Sequence, residues 1–125
     1  MAYEDYVSKG QKSLKAARIL FEADLYDPCT SRCYYAMFQM AVATVTKLGI
    51  SPPKEGTYSH SWVQAVIAQE VIHRQKRMPR KFANYLPLVL ELRQEADYKE
   101  VEISRKKAER ALRRAMEFLE VLERA

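Results

Sequence analysis

Apolar residues recur along the chain at a period near 3.6, and this spacing predicts five helical segments. From Tyr3 to Asp24, the residues Tyr3, Tyr6, Val7, Leu14, Ala17, Leu20 and Phe21 share one side, while Lys9, Lys12, Lys15 and Glu22 lie mostly elsewhere. A second helix is expected to run to Leu48. Asp27 is its expected N-cap, with a carboxylate to accept from free backbone N–H groups, and Pro28 is its first helical residue, where no N–H is needed. Gly49 is placed to close the C-terminus. This segment is apolar almost all round, so it is expected at the centre of a bundle.

Ser51-Pro52-Pro53-Lys54-Glu55-Gly56 cannot continue a helix and predicts a loop. Ser59 can then cap a third helix with Trp62, Val63, Val66, Ile67 and Ile72 as its stripe. The stretch from His73 to Lys81 holds Arg74, Lys76, Arg77, Arg80 and Lys81. It reads either as a solvated turn or as a landing strip for phosphates. A fourth helix carries Phe82, Tyr85, Leu86, Val89, Leu92 and Ala96 on one face. Pro87 interrupts it at a cost of about 3 kcal/mol if placed mid-helix, so a kink or a late start is expected. After a break at 97–103, Ser104 caps a fifth helix with Ala108, Ala111, Leu112, Ala115, Leu119 and Leu122 inward and a basic outer face. Short connections favour antiparallel neighbours. The expected fold is all-α: an up-and-down antiparallel bundle of four long helices plus one shorter helix, forming a single domain over 1–125.

Composition supports this architecture. At 125 residues the chain suits one core, and with 3 Gly and 5 Pro it is poor in helix breakers. The N-terminal MAYEDYVSKG is polar and unlike a signal peptide, and no apolar run reaches the roughly 18 residues of a bilayer span. A cytoplasmic protein without membrane contact is therefore expected. Cys29 and Cys33, four apart on a helix, are poorly placed for a disulfide. They read as reduced packing residues. His60 and His73 form no metal-ligand spacing, so no metal or cofactor is expected. The net charge of +5 permits an anionic partner without requiring one.

Two stretches break the simple amphipathic pattern. In Ser31-Arg32-Cys33-Tyr34-Tyr35-Ala36-Met37-Phe38, the inward stripe starts at Cys33 and Met37. The opposite side, with Arg32, Tyr35, Gln39, Ala43 and Thr46, carries almost no ordinary surface charge. Such a side meets another helix, another subunit or a ligand. In Leu92-Arg93-Gln94-Glu95-Ala96-Asp97-Tyr98, Arg93 falls within the apolar arc, and Asp97 follows one turn later. An arginine there needs a carboxylate or an anionic ligand. The set reads either as a buried pair ending the helix or as a phosphate clamp, since guanidinium offers a planar fork of donors.

In these two stretches the chain resembles the HEPN superfamily, in particular its small stand-alone prokaryotic proteins. Lys47-x-Gly49, the His60-Ser61 pair and the alanine spacing of the last helix support the resemblance, which spans the whole chain. It implies a bundle of four or five helices and a homodimer with its site between subunits. It also implies toxin–antitoxin or nucleotidyltransferase-associated systems, in which a minimal nucleotidyltransferase is the partner. Many members are metal-independent ribonucleases that carry arginine, four to six residues, then histidine. Here Arg93 is followed by four residues and then Tyr98. A phenol titrating near pH 10 is a poor base where imidazole would serve, although it can hydrogen-bond a phosphate. The leading expectation is a nucleotide-, RNA- or partner-binding protein using Arg32, Tyr35, Arg93, Asp97 and Tyr98. The alternatives are a metal-independent endoribonuclease with Arg93, Asp97 and Tyr98 as catalytic candidates, and a purely structural interaction module.

Overall fold

The longest helix, α2 (Tyr26–Lys47), is the axle of the fold in the computed structural model, which describes residues 2–124. Cys29, Thr30, Cys33, Tyr34, Ala36, Met37, Met40, Ala41, Val42, Ala43 and Val45 are all buried on it. Helices α1 (Tyr3–Glu22), α4 (Tyr85–Tyr98) and α5 (Arg105–Arg124) pack around it. The third segment begins as α3 (His60–Val66) and widens into a π-helical stretch, Ile67–Arg74. A 3-10 turn, Arg80–Asn84, leads into α4. All regular structure among the described residues is helical, as the periodicity predicts, and five α-helices form the bundle.

Helix ends follow local chemistry. Helix α2 closes on Gly49 in the left-handed region at φ 74°. The Gly49 and Ile50 N–H groups donate to the Thr46 and Val45 carbonyls at 3.0 and 3.2 Å. This is the double bond pattern of a glycine-terminated helix. Asp24 does the same for α1 at φ 60°, a conformation its short polar side chain tolerates. Ser59 and Ser104 cap α3 and α5 by accepting from the Trp62 and Lys107 N–H groups, each at 3.2 Å. Asp27 departs from its expected role. Helix α2 begins two residues earlier, at Tyr26, and the Asp27 carboxylate instead accepts the Ile103 N–H at 2.8 Å, tying the α4–α5 connection to the base of α2. Pro87 lies in the first turn of α4, where its missing N–H costs nothing, so the expected late start is realised.

The charge-poor side of α2 is largely consumed within the chain. Gln39 meets Ser13 of α1 at 2.7 Å, Ala43 is buried, and the Thr46 hydroxyl donates to the Val42 carbonyl at 2.8 Å. Only its first turns, around Arg32 and Tyr35, remain for other work. Cys29 and Cys33 are buried free thiols.

The α1–α2 seam closes at Gly10. A Cβ at this position would stand 3.1 Å from the Ala36 carbonyl oxygen and 3.4 Å from the Met40 nitrogen. Those are backbone atoms, so a branched side chain must push the helices apart. Gly10→Val is expected to destabilise the protein by about 1–3 kcal/mol, read as a lower urea midpoint. An unchanged midpoint would mean that the seam opens freely.

Candidate functional site

Polar and aromatic side chains from three helices meet where α4 crosses the first half of α2. Arg93 is the hub. Its side chain is only 23% exposed, and its Nε lies 3.5 Å from Asp97 Oδ2, one turn along α4. That separation makes an ion pair but no hydrogen bond, and Arg93 Nε stays buried without a hydrogen-bond partner. The other Asp97 oxygen accepts from the Ser31 hydroxyl at 3.4 Å, which straps α4 to α2.

The Arg93 guanidinium carbon stands 4.9 Å from the Tyr35 ring centre and 5.8 Å from that of Tyr34. Arg32 reaches the same Tyr35 ring at 4.9 Å. Two guanidiniums therefore gather on one phenol. Their attraction to the ring helps hold them, while Asp97 is the one carboxylate paired with either guanidinium among the described residues. The result is a local positive site with guanidinium donors to spare.

The third helix supplies an imidazole. His60, the first residue of α3, is hydrogen-bonded through Nδ1 to the Tyr34 hydroxyl. Its ring lies 5.2 Å from that of Tyr34 and 5.0 Å from that of Phe38. Tyr34 is fully buried, and burial pushes its phenol above its ordinary value; Arg93 pulls against this and Tyr35 adds to it. The phenol thus keeps its proton. The arrangement that leaves no buried donor unpaired has Tyr34 O–H donating to Nδ1, which places the ring proton on Nε2. Burial, and then the neighbouring Arg93, hold His60 below its ordinary value, so the imidazole is neutral at neutral pH.

Of the residues singled out in the sequence, Arg32, Tyr35, Arg93 and Asp97 come together here. Tyr98 does not join them. It is 82% exposed and projects about 140° around α4 from Arg93, at 100° per residue, toward Gln94 and Lys99. Tyr34 and His60, which in the sequence carry only the family resemblance, are the two members of the cluster outside the expected binding set. A tyrosine beside the inward stripe of a central helix needs a partner for its hydroxyl, and that need was the available signal. Sequence distance from Arg93 hid His60.

Other surfaces fit this chemistry less well. A recess of about 610 Å³ among Tyr6, Thr46, Ile50, Ser51, Glu55 and Tyr58 offers a carboxylate and no cation. In the basic connector, Arg74 pairs with Glu70 at 3.1 Å and Lys81 with Glu117 at 3.8 Å. Lys76, Arg77 and Arg80 have no carboxylate partner among the described residues and border a recess of about 360 Å³. No group of histidine, cysteine and carboxylates able to hold a metal occurs among the described residues. No helix described is long and apolar enough to cross a membrane.

Comparison with known proteins shows the family. The model of the HEPN domain matches residues 3–125. A Methanocaldococcus jannaschii protein named "Putative toxin MJ0142" is 32% identical over 117 residues, covering 93% of this chain and 76% of that one. A Gloeobacter violaceus protein, named a UPF0332 protein, is 36% identical over 81 residues, covering 58% of this chain and 60% of its own length.

Proposed function

The chain belongs to the HEPN domain family, and from that premise we propose that it binds RNA or a nucleotide through Arg93, Arg32 and Tyr35 as part of a toxin-type system. The observation that carries this reading is the gathering of two guanidiniums, Arg93 and Arg32, on the one Tyr35 ring, with a single carboxylate, Asp97, paired to them among the described residues. A phosphodiester bridging the two guanidiniums would satisfy their free donors and cancel their repulsion. The name of the archaeal relative supports the toxin context. A homodimer and a minimal nucleotidyltransferase partner belong to the same reading; sedimentation and co-purification with the product of the adjacent reading frame test them.

The direct test is fluorescence anisotropy with a labelled single-stranded RNA dodecamer, beside thermal shifts with mono- and dinucleotides. Binding is expected, and it should weaken as salt rises, because neutralising phosphates releases counterions. No binding and no thermal shift with any of these ligands would overturn the reading.

A second reading, metal-independent cleavage of the bound RNA, is favoured by one observation. An imidazole stands in the cluster although α4 itself has no histidine. Cleavage that persists in chelator, leaves a 2′,3′-cyclic phosphate and disappears in Arg93→Ala would establish it.

A further inference from the structure

We propose that His60, held in place by Tyr34, is a further contact to the bound phosphodiester, reaching it from a different helix than Arg93 and taking up a proton as it binds. The inference rests on the RNA-binding reading above and adds to it a residue, a positioning partner and a pH dependence.

The geometry comes first. His60 is half-buried between Phe38 and Tyr34, with Nδ1 committed to the Tyr34 hydroxyl. The hydrogen bond sets the ring's orientation and leaves Nε2 without a partner among the described residues. The Tyr34 ring that orients His60 also lies beside Arg93, at 5.8 Å from the guanidinium carbon. An N–H donor and a guanidinium thus stand beside one aromatic ring, close enough for the Arg93 charge to act on the imidazole. A phosphodiester seated on this cluster has the oxygens to accept from Nε2 and from the terminal nitrogens of Arg93. A purely structural imidazole, needed only to satisfy the Tyr34 hydroxyl, would not call for Arg93 beside it.

Charge supplies the coupling. The charged and titratable groups facing His60 are Tyr34 from α2 and Arg93 from α4. Arg32 and Tyr35 on α2 and Asp97 on α4 stand around Arg93, and the neighbours on its own segment, Ser59, Ser61 and Gln64, do not ionise. In the free protein, burial and the Arg93 charge both disfavour imidazolium. A bound phosphodiester offsets the Arg93 charge and adds a negative one, so the protonated ring is favoured in the complex. Binding that takes up a proton strengthens as pH falls. The window runs from the bound-state value of His60 down to its free value, which lies below 6.5. One proton gives at most a tenfold change in affinity per pH unit. The phosphodiester itself does not titrate there.

The test uses a fluorescein-labelled 2′-O-methyl RNA dodecamer, which cannot be cleaved by its own 2′-hydroxyl. Its affinity is measured between about pH 8 and pH 5.5, spanning the histidine range. The wild type is expected to bind about tenfold tighter at the acid end. His60→Gln should lose most of that gain, whereas His73→Gln should keep it. Tyr34→Phe preserves the packed ring and frees the imidazole, so its pH-dependent gain should shrink too. The two histidines of the wild type are also followed by NMR, with and without the dodecamer; the His60 titration should move upward on binding. This arm needs no variant to fold. If the wild type binds but His60→Gln shows the same affinity and pH profile, or the His60 titration does not move, the inference falls and the RNA-binding reading stands. If the wild type binds at no pH, that reading falls and takes the inference with it.

Discussion

Arg93→Ala is expected to weaken RNA binding by roughly tenfold to a hundredfold while changing the stability of the fold by no more than about 1 kcal/mol. The two halves of this prediction have different causes. Charge-assisted hydrogen bonds to an anion contribute about 1.5–3 kcal/mol, and each 1.4 kcal/mol is a factor of ten in affinity. Within the free protein the same guanidinium contributes little. Its ion pair with Asp97 is partly exposed, at 23% and 37% for the two side chains, and its Nε makes no hydrogen bond. Its attraction to Tyr35 is offset by the cost of holding a charge out of water. Once it is removed, Asp97 keeps Ser31 and can turn to solvent. Arg93→Lys should recover part of the affinity, since it restores the charge without the planar fork. A variant that loses several kcal/mol of stability and still binds RNA would instead assign Arg93 to the fold.

Phe118→Ala is expected to cost about 3–5 kcal/mol of folding stability, against a total of about 5–15 kcal/mol for such domains. Phe118 is fully buried on α5 and lies 6.4 Å, ring centre to ring centre, from Phe82, which in turn lies 4.5 Å from Tyr85. The next residue back, Glu117, accepts from the Tyr85 hydroxyl at 2.8 Å. This corner ties the start of α4 to α5, two turns away from Arg93. Truncation leaves a cavity that the rigid helices can fill only in part. Urea unfolding should show a lower midpoint with an unchanged slope. A loss below about 1 kcal/mol would mean that α4 and α5 close over the gap. Where the variant is folded, its affinity for RNA should stay within a few-fold of wild type.

Most of the fold was legible in the sequence because it rests on local rules. The inward stripe of α5, from Ala108 to Leu122, and the caps at Ser59 and Ser104 were found where spacing and side-chain chemistry put them. Gly49 ends α2 because the left-handed conformation there favours a residue without a Cβ. Local rules were less reliable where a side chain had a tertiary alternative. Asp27 turned from capping α2 to the Ile103 N–H. The π-helical widening after Val66 follows no propensity; it brings Ile67, Val71 and Ile72 onto the core at spacings of four and five residues.

The sequence by itself determined an all-helical chain, the central place of α2, and the HEPN family through the two stretches that hold Arg32, Tyr35, Arg93 and Asp97. Each of those readings depends on residues a few positions apart on one helix, where periodicity fixes direction. The tertiary structure alone decided which of the polar residues meet. It turned Tyr98 outward, because five residues along a helix point away from Arg93, and brought in His60 from 33 positions upstream. That meeting depends on how α3 docks against α2, where the buried Tyr34 hydroxyl needs a partner and the His60 imidazole provides one. No spacing within a single helix encodes such a contact.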